Sequence, residues 1–286
     1  MKILTVKAAN CSKIPLPRSG HRCTADEANL YCFGGYSPHY QSRVFSELWR
    51  FNFSTKTWHF MNTTGSFPDG VASAAVELHK GSLIVFGGAN EPLSNKSSEV
   101  AICLLKLQRW VDVPYQVGHF QPSGVYGHSL VLSPDNCLYV FGGYSSFSGF
   151  TSDLFSFSLS KSEFFDLSDL PNAPLPRYRH EAVSDGDKFY VIGGGNYVRT
   201  KPSGMYSLST IHSFNYEDKV WNEHECRPCK MHGFPKPRRC HSCVMVDSNI
   251  YLCGGYDGKN IFDDIWSLCT KAFIWTKLEK VRILVR

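Results

Sequence analysis

The sequence predicts an all-β fold of five four-stranded units stacked radially, as the blades of a propeller. Three observations lead there. Paired glycines recur at Gly34-Gly35, Gly87-Gly88, Gly142-Gly143, Gly193-Gly194 and Gly254-Gly255, spaced 53, 55, 51 and 61 residues apart. Each pair ends a short apolar run (LYCF, LIVF, LYVF, FYVI, IYLC) that is rich in aromatic and β-branched residues, as buried strands are. Self-similarity at a period of about 50 residues marks propellers and solenoids, because a lone unit cannot bury both of its faces.

The elements of each unit follow in order. A first strand is headed by a histidine or a small residue: His21, Ser73, His128, His180 or His241. The glycine-pair strand comes second, and 177–195 (RYRHEAVSDGDKFYVIGGG) shows the two joined by a polar turn, Ser184-Asp185-Gly186-Asp187. Third strands are read at 47–53, 100–107, 153–159, 211–216 and 264–270. The fourth carries an aromatic residue: Trp58, Trp110, Phe165, Trp221 or Trp275. Blades are thus expected at about 15–61, 67–115, 122–168, 174–225 and 235–279, within one domain spanning 1–286.

Five glycine pairs in phase, each with a downstream acidic-aliphatic-aromatic triplet and a later tryptophan or phenylalanine, resemble the kelch repeat. The segments LPRSGHRC, FGGYSPHY, ELWR, RYRHE, IGGG, GFPKPRRCHSC and CGGYDG are similar to those of the kelch domain-containing protein ten group. That resemblance implies a kelch-type β-propeller and a substrate receptor of a cullin-2 RING ubiquitin ligase. By the same resemblance, such a receptor captures the C-terminal ends of client proteins (C-degrons) and is joined to cullin-2 through elongin B/C. The family's rings have six blades, with a helical elongin-binding box after the last. This chain stops at Arg286, before a sixth glycine pair and without such a box, and reads as a fragment or short isoform. A five-bladed ring and an imperfectly closed one are the alternatives, with residues 2–7 available as a closing strand.

Composition narrows the partners. A net charge of +5, scattered along the chain, gives no basis for nucleic-acid binding. No apolar run approaches membrane-spanning length, and the first residues are too short for a signal sequence. The expected location is therefore cytoplasmic, with the nucleus as a second compartment. The sequons at Asn10, Asn52, Asn62 and Asn95 are then coincidental. Eleven cysteines read as reduced, and those in or beside strands (Cys23, Cys32, Cys103, Cys137, Cys243, Cys253, Cys269) as small buried hydrophobes.

Chemistry has few candidates. The repeated histidines sit at one position in different blades, so they do not converge, and each is expected to bond neighbouring backbone. His224, Cys226, Cys229 and His232 have zinc-ligand types, but all four crowd within nine residues of a charged loop. Cys240 and Cys243 fall on opposite faces of a strand. No metal, cofactor or catalytic residue is expected, and the chain reads as a binding module and not as an enzyme.

Binding residues are expected at one rim. Residues after the glycine pairs and those just before the histidines reach it together. The first set holds Tyr36, Ala89, Tyr144, Tyr197 and Tyr256; the second holds Ser19, Val71, Tyr126, Tyr178 and Arg239. One position earlier stand Arg18, Gly70, Val125, Arg177 and Arg238, while Arg179 directly precedes its histidine. Arginine forks, hydroxyls and aromatic faces suit a peptide carboxylate. Arg239 and Arg179 lead this set, followed by Tyr126, Tyr178, Tyr197, Tyr256, Tyr36, Tyr144, Ser19 and Arg238. Arg18, Arg177 and Arg238 carry an equally weighted structural reading, as bonds to a neighbouring blade. A kelch scaffold or regulatory protein without ligase recruitment is the alternative function.

Overall fold

A computed structural model describes residues 13–39, 43–65, 70–90, 98–113, 120–196 and 204–279. Among these the fold is all-β, with five four-stranded sheets and no helix. Blade 1 comprises β1 (Arg22–Ala25), β2 (Asn29–Phe33), β5 (Leu48–Asn52) and β6 (Thr57–Met61); its loop adds the short ladder β3 (Tyr36–Ser37) with β4 (Arg43–Val44). Blade 2 comprises β7 (Ala75–His79), β8 (Ser82–Phe86), β9 (Val100–Leu104) and β10 (Arg109–Asp112). Blade 3 holds β11 (Ser129–Leu132), β12 (Cys137–Ser145), β13 (Gly149–Ser158) and β14 (Glu163–Asp166). Blade 4 holds β15 (Glu181–Ser184), β16 (Lys188–Ile192), β17 (Thr210–Asn215) and β18 (Trp221–Glu225). Blade 5 holds β19 (Ser242–Val246), β20 (Asn249–Cys253), β21 (Ile265–Cys269) and β22 (Ile274–Leu278). The chain divides into two compact units, one carrying blades 1 and 2 through Gly127, the other blades 3 to 5 from His128.

Turn chemistry sets the meander. In blade 1 the Asp26 carboxylate accepts the Ala28 and Asn29 amides at 2.8 and 2.7 Å, and Tyr31 donates its hydroxyl to the same carboxylate. Blade 4 repeats the device with Asp185, the Asp187 and Lys188 amides, and Tyr190. Between third and fourth strands, Asn52 and Asn215 cap the turn through their side-chain oxygens. That turn ends on a left-handed residue in every blade: Lys56, Gln108, Ser162, Lys219 and Phe273.

Register corrects two sequence assignments. Arg22 faces Phe33, Ala75 faces Phe86 and Glu181 faces Ile192, so the blade 2 counterpart of His21 is Ala74 and not Ser73. The preceding positions shift with it, Ala72 taking the place expected for Val71 and Val71 that expected for Gly70. In blade 3 Phe164 faces Phe157 as Trp221 faces Phe214, so Phe164 is the core aromatic, 3% exposed, while Phe165 is 37% exposed. Two cysteines also differ from expectation: Cys23 and Cys253 are exposed, whereas Cys32 and Cys103 are buried.

Core packing runs between blades within each unit. Tyr31, Phe33 and Leu48 of blade 1 join Leu83, Val85 and Trp110 of blade 2 in one cluster. Phe141 and Leu154 of blade 3 pack with Phe189, Phe214 and Trp221 of blade 4. Tyr190 and Ile192 of blade 4 pack with Leu252, Trp266 and Trp275 of blade 5. Trp275 is fully buried and donates its indole N–H to the Leu208 carbonyl at 2.8 Å. Each such side chain contributes about 1.5–3 kcal/mol of hydrophobic burial. The glycine pairs exist for the same joint. The second glycine's amide donates to the next blade's backbone: Gly35 to Val71, Gly88 to Val125, Gly143 to Arg177 and Gly194 to Arg238, at 2.8–2.9 Å. A Cβ on Gly193 would lie 2.7 Å from the His241 ring and 2.9 Å from the Arg238 carbonyl, closer than real Cβ contacts come. His180 is also committed to this joint, its Nε2 lying 2.9 Å from Ser129 Oγ of the preceding blade, a side-chain partner where backbone was expected.

Candidate peptide-binding site

Two consecutive arginines take opposite roles. Arg238 is fully buried; it donates from Nε to the Lys236 carbonyl at 2.9 Å and from Nη1 to the Gly254 carbonyl at 2.8 Å. Its guanidinium also forks onto both oxygens of Asp264, at 2.5 and 3.0 Å. Asp264 accepts the Trp266 indole N–H as well, at 2.7 Å. Arg18 repeats this clamp in blade 1 with the carbonyls of Leu16 and Gly34, and with Glu47, which accepts the Trp49 indole N–H. Arg177 repeats it in blade 4 with the carbonyls of Leu175 and Gly193, and stacks over Tyr206 at 4.4 Å. Burial presses the Arg177 pKa down to about 10. The clamp explains the acidic-x-Trp triplets 47–49 and 264–266. It also places Arg238 in the scaffold, because every polar edge of its guanidinium is spent on its own blade.

Arg239 turns the other way. Its backbone pairs reciprocally with Tyr256, N–H to carbonyl, at 3.0 and 2.9 Å. The same bridge joins Ser19 to Tyr36, Ala72 to Ala89 and Tyr178 to Gly195. In these four blades the bridge brings the residue after the glycine pair beside the one three positions before the first strand. The next residue is left-handed throughout: Gly20, Ser73, Gly127, Arg179 and Cys240 have φ between 54° and 65°. Those residues are linked by backbone from blade to blade. Ser73 donates its amide to Gly20, Gly127 to Ser73, and Cys240 to Arg179.

In the unit holding blades 3 to 5, the side chains above this ladder form one aromatic and cationic cluster. Tyr144 packs edge-on against Phe150 at 5.1 Å, and Phe150 against Tyr178 at 4.9 Å. Arg179 and Arg239 both lie over the Tyr178 ring, at 5.4 and 5.5 Å, and Arg239 also faces Tyr256 at 5.8 Å. Arg239 donates from Nη1 to the Tyr178 hydroxyl at 2.5 Å. Arg179 reaches the Cys240 sulfur at 3.6 Å. Among the described residues neither arginine has an ion-pair partner, and neither buried Nε has a hydrogen-bond acceptor. Both guanidiniums thus lie against an aromatic face and keep unfilled donor capacity.

The structure therefore brings together Tyr144, Tyr178, Arg179, Arg239 and Tyr256. Phe150 is a member that repeat counting missed, since it lies on a hairpin end outside the repeated positions. Ser19, Tyr36 and Tyr126 belong to the other unit; Ser19 is exposed and the two tyrosines half-buried. Tyr197 lies outside the described residues. Of the 224–232 group, His224 stacks on Phe273 at 4.2 Å and hydrogen-bonds Ser213, and Cys226 is buried against the core.

Comparison with known proteins agrees with this architecture. Residues 2–258 match the family model of the Attractin/LZTR1 beta-propeller, and residues 237–281 match the Kelch motif. The chain belongs to this kelch β-propeller family. It is 39% identical to Kelch domain-containing protein 10 of Homo sapiens over 279 residues, covering 92% of this chain and 61% of the relative. It is 40% identical to the Xenopus tropicalis protein of that name, over 92% of this chain and 65% of the relative. The Kelch domain-containing protein 10 homolog of Drosophila melanogaster is 31% identical, over 93% of this chain and 48% of the relative. The chain thus spans about three-fifths of the length of its vertebrate relatives.

Proposed function

We propose that this chain is the client-recognition module of a cullin-RING ubiquitin ligase and that it binds the free C-terminal end of its clients. One observation carries the reading: Arg179 and Arg239 flank Tyr178 with no carboxylate among the described residues to neutralise them. A peptide carboxylate leaving water must regain its hydrogen bonds, and charge-assisted contacts to two arginine forks supply them. Tyr144, Phe150, Tyr178 and Tyr256 offer aromatic walls to the last side chains. Tyr197 joins the set by its place in the repeat, and Ser19, Tyr36 and Tyr126 hold the corresponding repeat positions in the other unit. Recruitment through elongin B/C and cullin-2 belongs to the same proposal, as does an intracellular location.

The test is binding of fluorescent peptides ending in a free acid or in an amide. Loss of one arginine that holds a buried carboxylate costs about 2–5 kcal/mol, at least about thirtyfold in affinity. Amidation costs a similar amount, and the two changes together fall well short of additive. Lysine at 239 rescues poorly because it lacks the planar fork. Equal binding of acid and amide would show that an internal motif is read instead. Co-purification with elongin B/C and cullin-2 separates a ligase receptor from a kelch scaffold without ligase recruitment.

A further inference from the structure

Blade 1 carries a second cluster that peptide binding leaves unused. One ligand atom each from His21, Cys23 and Cys32 lies within 4.8 Å of the other two. The strand geometry explains the grouping. His21 and Cys23 are two apart and share a face, and Cys32 is the direct cross-strand partner of Cys23. Asp26 donates its amide to the Asn29 carbonyl at 2.9 Å, so Asp26 and Asn29 form a hydrogen-bonded pair. Counting back along the ladder, Cys23 and Cys32 are a non-hydrogen-bonded pair, where facing side chains are closest.

The other blades do not place thiols in both strands at this station. Equivalent triads are Ala74, Val76 and Val85 in blade 2; His128, Leu130 and Val140 in blade 3; His180, Ala182 and Val191 in blade 4; and His241, Cys243 and Leu252 in blade 5. There the positions facing Cys23 and Cys32 in register are mostly aliphatic, and His180 is buried against the preceding blade. In blade 1 two sulfurs replace the aliphatic pair, and His21 and Cys23 are exposed.

We propose that His21, Cys23 and Cys32 form a zinc site, with water in the fourth position. Tetrahedral zinc with bonds of about 2.0–2.3 Å sets its ligand atoms about 3.3–3.8 Å apart, so side-chain rotations close the present spacing. Binding releases the two thiol protons to solvent, and two thiolates neutralise the ion. Three protein ligands with one open position leave the metal able to take a donor from a bound partner.

The experiment is cobalt titration of the reduced full chain under argon, followed by zinc displacement. A single equivalent of cobalt is expected to give tetrahedral d–d absorption with thiolate charge-transfer bands, and zinc to abolish both. The variants His21→Ala, Cys23→Ala and Cys32→Val install residues that other blades already carry there, so the fold tolerates them. Each is expected to weaken binding at least about tenfold, as removal of a ligand or its support does. The double variant Cys226→Ala/Cys229→Ala is expected to leave the spectrum unchanged. The proposal is overturned if no tetrahedral spectrum appears, if the spectrum survives the blade 1 variants, or if mass spectrometry of the anaerobic protein shows a Cys23–Cys32 disulfide in place of metal.

Discussion

Neighbouring arginines with opposite commitments give the sharpest prediction. Asp264→Asn keeps the shape of the clamp but leaves the Arg238 guanidinium, 0% exposed, without a counter-charge. Removing one partner of a buried pair costs about 3–5 kcal/mol. The Asp264 side chain is 20% exposed, so water makes up part of the loss, and the lower figure of about 3 kcal/mol is expected. At about 2–4 °C per kcal/mol for chains of a few hundred residues, the midpoint falls by about 6–12 °C in a thermal melt. Arg239→Ala removes one hydrogen bond to Tyr178 and is expected to cost no more than about 1.5 kcal/mol of stability, while weakening the proposed peptide binding at least about thirtyfold. The Asp264 effect also has a pH signature. Burial raises its pKa, but the hydrogen bonds from Arg238 and Trp266 and the Arg238 charge outweigh it and hold the carboxyl below the usual carboxylate range. A depressed folded pKa means that the stabilisation is present above the unfolded value and is lost as pH falls through the folded one. The gap between wild type and Asp264→Asn therefore narrows in acid. If Asp264→Asn melts within 1 °C of wild type, or if Arg239→Ala destabilises as much as it does, the division of roles argued above is wrong.

Two further outcomes follow from individual residues. Gly34→Ala drives a Cβ into the Val71 carbonyl of the next blade and is expected to cost several times the roughly 1 kcal/mol of Gly81→Ala, which meets nothing within 4 Å; urea unfolding of both variants checks the ratio. Glu77 has its pKa pushed up to about 7, chiefly by burial, with the Leu78 amide partly opposing. Its unfolded state ionises first, so stability falls as pH rises from the ordinary carboxylate value through about 7. Glu77→Gln is then expected to stabilise the chain by on the order of 2 kcal/mol near pH 8 and to be neutral near pH 4, measured by melts across that range.

Much of this architecture was written in the sequence, because glycine pairs and tryptophans are demanded by the backbone itself. The amide of Gly35 or Gly194 reaches the next blade only if no side chain intervenes, so the residue type betrays the joint. Register was less legible. Blade 2 has no histidine at this position, and counting from its glycine pair admitted Ser73 as readily as Ala74; the pairing of Ala75 with Phe86 and the left-handed turn at Ser73 decide between them. Direction was not legible at all for the arginines. Arg238 and Arg239 are chemically identical letters, and the Gly254 carbonyl and Asp264 that claim the first come from across the blade. Cys23 and Cys32 escaped notice for a similar reason: nine residues apart in the chain, they meet only through the hairpin pairing.

The left-handed ladder has an evolutionary consequence. Gly20, Ser73 and Gly127 in one unit, and Arg179 and Cys240 in the other, are joined by amide-to-carbonyl hydrogen bonds, to which Arg179 adds its contact with the Cys240 sulfur. The backbone part of this joint is indifferent to what each side chain spells, apart from the modest strain of a left-handed non-glycine residue. Side chains at these stations can thus be exchanged one letter at a time with the scaffold inherited intact, so a lineage can rewrite this surface without passing through an unfolded ancestor.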